Sequence, residues 1–260
     1  MLLLSLFPYH RPQRIDRAMA DHIHQYEELA KYYDLFYESK DYAKEARTLR
    51  NLITRYKRSP GNTLLDVACG TGKHIRHLRR WFDCVGVDAS EQMLEQARRN
   101  AKGIEFLQSD MTSFDLKQRF DVVLCLFGSI GYVRTSRKLA QTLRNFANHL
   151  RDGGVMLIEP WFTKSSWKVG SVHLRTISTD DLKIARIGFS GLRGTTSVLD
   201  ERILVAKRAS GISYYRDPQE MGLFEKDEFL RIMRAAMLDA RYLPADGNLF
   251  RGLYVGVREC

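Results

Sequence analysis

The chain has 260 residues, 44% hydrophobic and 28% charged, ordinary for a soluble globular protein and enough for one domain with an elaboration. Its formal charge of +10 is spread evenly, with 11 basic against 8 acidic side chains in residues 1–60, 14 against 10 in 61–158 and 16 against 13 in 159–260. A nucleic-acid binder concentrates such an excess in a stripe or tail, so the charge reads as a solvated surface, without a nucleic-acid partner.

The apolar opening Met1–Phe7 lacks a basic segment before it and runs into Pro8, Arg11, Arg14 and Arg17, which does not fit a secretory signal. Residues 1–22 are expected to be a disordered extension, with Met19 as an alternative start, ahead of a domain over 23–260. No run approaches the ~20 apolar residues that cross a bilayer, so no membrane partner is expected. Cys69, Cys84, Cys125 and Cys260 form no CxxC pair and no ligand-like spacing to His. That usage points to a reducing cytoplasm and no structural metal.

Short apolar runs at Thr63–Ala68, Cys84–Asp88, Ile104–Gln108, Val122–Phe127 and Val155–Glu159 read as strands. Between them lie helical patterns near His74–Phe82, Ser90–Asn100 and Arg137–Leu150, with Ser90 as an N-cap and Asp152-Gly153-Gly154 as a turn before the next strand. The alternation predicts an α/β fold with a mainly parallel sheet. After Pro160 the pattern changes to β-branched alternation, as at Val172–Ser178 and Arg202–Ala206. Residues 162–220 are expected to form a small antiparallel β insertion, followed by a helix near Lys226–Ala236 and strands near Ala240–Leu243 and Gly252–Val257. The insertion offers a surface on which a homodimer could form.

The strongest local motif is Leu64-Leu65-Asp66-Val67-Ala68-Cys69-Gly70-Thr71-Gly72, an apolar strand entering a glycine-rich turn. Gly70 and Gly72 would permit positive φ and close approach of a ligand to the backbone. A dinucleotide fingerprint expects a third glycine where this chain has Ile75, so the pyrophosphate reading is incomplete. Asp88 and Asp110 end the next two strands. Asp88 can accept from both ribose hydroxyls of an adenosine group, and Asp110 from the adenine amine with Met111 packing on the ring. Each also has a plainer reading, Asp88 as a helix cap and Asp110 as a turn residue.

In order and spacing these elements resemble the class I S-adenosylmethionine-dependent methyltransferases, which implies a Rossmann-like seven-stranded sheet and S-adenosyl-L-methionine as cofactor. A wider set of segments, Tyr33–Tyr37, Lys40–Tyr42, Asp66–Gly72, Gly128–Tyr132, Glu159–Phe162 and Arg251–Gly256, resembles the nucleotide-diphosphate 3-amino-sugar N,N-dimethyltransferases of desosamine and mycaminose biosynthesis. The resemblance covers about Tyr26 to Val257 and is faint across 163–218. It departs at Gln219–Phe224, where that family usually carries a His. It implies that Tyr42, Ala68, Gly70, Gly72, Asp88, Ala89, Met93, Asp110, Met111 and Leu126 hold the cofactor. Tyr33, Ser129, Trp161 and Arg251 would meet the substrate, a nucleotide sugar, with Arg251 on the diphosphate. Tyr37, Tyr132 and Glu159 would serve the reaction, Tyr132 beside the acceptor amine.

Several of these residues have structural readings too. Tyr33 and Tyr37 stand at helical spacing and suit a core, Glu159 could only end a strand, and Trp161 suits a core as well as a substrate wall. His74 and His77 read as packing or surface residues. A sulfonium-borne methyl needs no leaving-group acid, so positioning of a neutral amine should dominate. Tyrosine is a poor general base at neutral pH unless shifted, so Tyr132 or Glu159 would mainly orient the amine and aid its deprotonation. Other acceptors remain open at this stage: another small N or O nucleophile, an RNA base, or no acceptor at all in a module that only binds the cofactor. Against RNA, the chain carries no aromatic–basic tract and no Asn/Asp-Pro-Pro-Tyr motif after its fourth strand.

Overall fold

A computed structural model describes residues 29–245 and 251–259. The expected extension over 1–22, Met19 and Cys260 lie outside the described residues.

The chain begins with helices α1 (Ala30–Phe36) and α2 (Tyr42–Tyr56), then alternates strand and helix: β1 (Thr63–Val67), α3 (Lys73–Leu78), β2 (Asp83–Asp88), α4 (Glu91–Asn100), β3 (Glu105–Gln108) and β4 (Phe120–Cys125). A 3-10 turn (Ser129–Val133), α5 (Ser136–Asn148) and β5 (Leu150–Ile158) follow. Four long strands come next, β6 (Val172–Ser178), β7 (Leu182–Arg193), β8 (Thr196–Lys207) and β9 (Gly211–Gly222), before α6 (Lys226–Ala235), β10 (Leu238–Leu243) and β11 (Leu253–Arg258).

The main sheet has the order β10-β11-β5-β4-β1-β2-β3, and the second sheet β6-β7-β8-β9. β1 pairs in parallel with both β2 and β4, while β11 runs antiparallel to β5 and β10. The chain therefore builds outward from β1 to β3, then returns to the far side of β1 at β4. At such a reversal the loops leaving the two central strands diverge, and the crevice beyond their carboxyl ends is where open α/β sheets hold ligands.

Strand alternation explains the two-sided core. Leu65, Val67, Val123, Cys125, Met156 and Ile158 face α5 and α6, packing with Leu143, Phe146, Phe229 and Met233. Their neighbours Leu64, Val122, Leu124, Val155 and Leu157 face α2, α3 and α4, meeting Leu49, Ile53, Ile75, Leu78 and Leu94. The second sheet buries its inner face on α1, where Tyr32 and Phe36 pack against Ile184, Ile203 and Val205.

The five expected parallel strands are present, and Ser90 caps α4 by accepting from Met93 N–H at 3.2 Å. Three details differ from expectation. Asp152-Gly153-Gly154 does not precede the strand but lies inside β5, where Gly153 has φ 73° and the pairing with β4 shifts register. The helix expected at His74–Phe82 ends at Leu78, and the one expected to reach Leu150 ends at Asn148. The second sheet starts at Val172 and runs to Gly222, beyond the expected end at 220. No helix among the described residues is long and apolar enough to cross a membrane.

Candidate functional site

After β1 the backbone enters the left-handed region at Ala68 (φ 57°), Gly70 (φ 55°) and Gly72 (φ 69°). A Cβ on Gly72 would sit 3.1 Å from Ala97 Cβ and 3.2 Å from Phe106 Cζ, so α3 enters too close to α4 and β3 for any side chain there. At Gly70 an added Cβ would meet only Met93 Cε, at 3.7 Å. The backbone of Gly70 thus borders open space floored by Met93. Ala68 and, after β4, Phe127 (φ 57°) are non-glycine residues held in this region. Each costs roughly 1–3 kcal/mol, a strain that gathers at ligand sites.

Asp88 ends β2 beside this turn. One carboxylate oxygen accepts from Gly70 N–H at 2.8 Å and the other from Ser90 N–H at 3.0 Å. Each oxygen keeps acceptor capacity, the arrangement a vicinal diol can satisfy with two hydroxyl donors. Burial raises the Asp88 carboxyl above its ordinary value against those backbone bonds, so further donors would be welcome. Ser109 N–H donates to Asp88 O (2.9 Å) and Gln108 Nε2 to Ala89 O (3.0 Å), which brings the end of β3 alongside. Asp110 is exposed there, and Met111 lies half-buried against the core. Leu126 is buried at the end of β4, its carbonyl accepting from Ser129 N–H at 3.2 Å. The donor and acceptor set suits an adenosine group: a diol on Asp88, an exocyclic amine on Asp110, a ring face on Met111.

The helices α1 and α2 wall the opposite side. Asp34 of α1 accepts from Thr71 Oγ1 (2.6 Å) and Asn100 Nδ2 (3.0 Å) and pairs with Lys73 (3.1 Å), pinning α1 to the glycine turn. Tyr42 opens α2 and meets the His74 ring edge-on at 5.0 Å. Its hydroxyl is pushed well up, by burial first and then by Asp34 and Glu45, and stays protonated. His74 is buried and bonds Glu45 at 2.8 Å. Burial alone would raise the Glu45 carboxyl, but His74 and Lys40 hold it below its ordinary value.

The acceptor side is aromatic. Tyr33 and Tyr37 pack at 4.8 Å, and Tyr37 meets Phe127 edge-on at 5.0 Å. Glu159, at the end of β5, accepts from Phe127 N–H at 2.8 Å and pairs with Arg251 at 3.4 Å. The guanidinium of Arg251, the residue the family resemblance sets against the diphosphate, lies among Phe127, Trp161 and Phe162, at 5.3, 4.8 and 5.3 Å from their ring centres. Both Glu159 oxygens are therefore engaged, an arrangement that favours bracing over proton transfer. Ser129 is half-buried on the 3-10 turn, and Tyr132, at its other end, donates to Gln219 Oε1 at 3.0 Å. Trp161 Nε1 donates to Ser197 Oγ at 3.0 Å.

The expected residues thus collect at the carboxyl ends of β1 to β5, with the acceptor-side group facing the second sheet. Glu201, Asp217 and Arg186 form, with Gln219 of the segment that departs from the family pattern, a polar set on the buried face of that sheet that the sequence pattern alone does not single out. A signal was present: Glu201 in β8 and Asp217 and Gln219 in β9 occupy the same alternating positions as buried Ile203, Val205 and Met221.

The chain matches a methyltransferase domain model over residues 64–154. It is 36% identical over 231 residues to the dTDP-3-amino-3,4,6-trideoxy-alpha-D-glucopyranose N,N-dimethyltransferase of Streptomyces venezuelae, covering 88% of this chain and 97% of that one. It is 35% identical over 233 residues to the dTDP-4-amino-2,3,4,6-tetradeoxy-D-glucose N,N-dimethyltransferase of Saccharopolyspora spinosa, covering 88% and 92%. The crystal structure of DesVI from Streptomyces venezuelae superposes with a TM-score of 0.82 at 35% identity, covering 88% of this chain and 98% of that one.

Proposed function

Because this chain belongs to the family of dTDP-amino-sugar N,N-dimethyltransferases and is an S-adenosylmethionine-dependent methyltransferase, we propose that it methylates the amino group of a nucleotide-diphosphate-linked amino sugar. The observation that carries the acceptor class is the extent of the likeness, which spans 97% of the Streptomyces venezuelae enzyme and so includes the second sheet as well as the cofactor half.

S-adenosylmethionine supplies a methyl group activated on a sulfonium, so the C–S bond can break as the acceptor nitrogen forms its C–N bond without acid assistance. Asp88 would hold the ribose hydroxyls, Asp110 the adenine amine and Met111 its ring, with Ala89 and Leu126 bounding the nucleoside. Ala68, Gly70, Gly72 and Met93 would leave room for the amino-acid end beneath Tyr42. Tyr33, Tyr37, Ser129 and Trp161 would form the acceptor wall, with Tyr132 oriented toward the amine. Glu159 and Arg251 brace that wall between β5 and β11 through their shared ion pair and the Phe127 N–H. Holding the amine in line with the methyl carbon, at reacting distances of roughly 3–3.5 Å, can supply several kcal/mol of the barrier.

A homodimer formed through the outer face of the second sheet fits its surface. Val172 pairs with Phe189, Leu174 with Ile187 and Leu204 with Tyr214, all exposed on that face. An apolar patch of this kind on a small protein marks an interaction surface. A cytoplasmic setting suits the three buried free thiols Cys69, Cys84 and Cys125.

The test is incubation with S-adenosylmethionine and a panel of thymidine- and uridine-diphosphate amino sugars, read by mass. A gain of one and then two methyl groups on an amino sugar supports the reading, and modification of none of them, by a protein that still binds S-adenosylhomocysteine, removes it.

A further inference from the structure

The buried polar set of the second sheet bears directly on Tyr132. Glu201 of β8 and Asp217 of β9 are direct cross-strand neighbours on the inner face, 4% and 0% exposed. Two carboxyl groups placed opposite one another repel when charged. Arg186 of β7 approaches Glu201 at 3.4 Å, and Gln219, two residues on from Asp217, reaches both acids. Its Nε2 donates to Asp217 Oδ2 at 3.0 Å and to Glu201 Oε2 at 3.3 Å.

That arrangement fixes which way the amide points. When charged the two acids only accept, and an oxygen turned toward them would meet acceptors with an acceptor, so in that state the NH2 faces them and Oε1 faces away, as the two Nε2 bonds place it. Oε1 faces the Tyr132 hydroxyl at 3.0 Å. An amide oxygen only accepts, so the hydroxyl must donate its proton to it. With that proton committed, Tyr132 Oη meets any other group as an acceptor.

We propose that Gln219 is a positioning residue for methyl transfer: held by Glu201 and Asp217, it fixes the Tyr132 hydroxyl as a hydrogen-bond acceptor for the N–H of the incoming amine. This rests on the amino-sugar reading above. A neutral amine attacks through its lone pair, and an acceptor on one of its N–H bonds turns that lone pair away from Tyr132 and toward the methyl carbon. Each transfer yields an ammonium that gives its extra proton to solvent; the neutral primary amine and the neutral monomethyl product both retain an N–H for this contact, whereas the neutral dimethyl product has none. The orienting bond therefore serves both rounds of transfer and lapses when the dimethyl product has lost its proton.

The test is a double-mutant cycle with Gln219→Met, which keeps the length of the side chain, and Tyr132→Phe, assayed on an accepted amino sugar. Melting temperature and S-adenosylhomocysteine binding report folding, and Gln219→Leu is the second variant should the first not fold. If Gln219 acts through Tyr132, Gln219→Met lowers kcat about tenfold with KM within about twofold, the scale of one hydrogen bond. The same substitution then changes kcat by less than about twofold in the Tyr132→Phe background, because its partner is already gone. An unchanged kcat in Gln219→Met, or equal losses in both backgrounds, overturns the inference while the acceptor reading stands. A wild-type protein that methylates no amino sugar overturns the acceptor reading and this inference with it.

Discussion

Glu159 and Arg251 form an ion pair at 3.4 Å whose side chains are 2% and 9% exposed, joining the end of β5 to the start of β11. Burial lowers the Arg251 guanidinium below its ordinary value, against the pull of Glu159. The pair is thus held by geometry and by the rings of Phe127, Trp161 and Phe162 around it. A buried pair adds little net stability, but breaking one side leaves a buried charge uncompensated. Glu159→Leu should therefore destabilise the fold by about 3–5 kcal/mol, whereas Glu159→Leu with Arg251→Met should cost clearly less. Urea denaturation of the three proteins checks this. Equal losses in the single and double variants would mean that the pair does not hold this wall.

Asp88 bears on cofactor affinity. Hydrogen bonds to a charged acceptor are worth about 1.5–3 kcal/mol each, and the proposed ribose contact has two of them. Asp88→Ala should weaken S-adenosylhomocysteine binding by at least about 100-fold, read by calorimetry. The turn should survive, since its φ values are set at Ala68, Gly70 and Gly72. Affinity within a few-fold of wild type would place the ribose elsewhere.

Much of this was legible in the sequence and some was not. The glycine turn and the Ser90 cap could be read because strand, turn and cap are local, while the bond from Gly70 N–H to Asp88, 18 residues on, follows from β1 and β2 lying side by side. The packing of Arg251 could not, because its partners Glu159, Phe127 and Trp161 come from distant segments of the chain. Strands β7 and β9 were hidden for a different reason. Arg186 of β7 and Asp217 and Gln219 of β9 interrupt their apolar alternation with polar groups that meet Glu201 of β8. Helix α1, with Asp34 reaching Thr71 and Asn100, is likewise set by tertiary contacts more than by its own seven residues.

Two buried carboxyls should make stability fall with rising pH. Burial pushes Asp66 up to about 7 from 3.8, with Asp88 adding and His74 opposing. Burial also pushes Glu201 up to about 7 from 4.5, with Arg186 opposing and Asp217 adding. The folded state keeps protons that the unfolded chain has released, so this contribution is full below about pH 4 and lost as pH rises through about 7. Asp66→Asn should remove its share, so the stability of the variant relative to wild type rises between pH 4.5 and 8. Denaturant midpoints across that range check it, and a difference that stays flat would contradict the assigned shift.

The outer face of the second sheet makes a separate prediction. Leu174 and Ile187 are cross-strand partners, 69% and 53% exposed. Leu174→Lys with Ile187→Lys would place two like charges in the proposed dimer contact. Sedimentation should show a dimer for the wild type and a monomer for the variant, with the melting profile of the main domain retained. A wild-type monomer would assign this face some other role.

The most direct measurement is the mass of the product when purified protein, S-adenosylmethionine and a dTDP-linked 3- or 4-amino sugar are combined. The expected result is successive addition of one and then two methyl groups to the sugar, with none when that amine is replaced by hydroxyl. Methylation of the hydroxyl analogue, or of none of these sugars by a protein that binds S-adenosylhomocysteine, would contradict the assignment of the amine as acceptor.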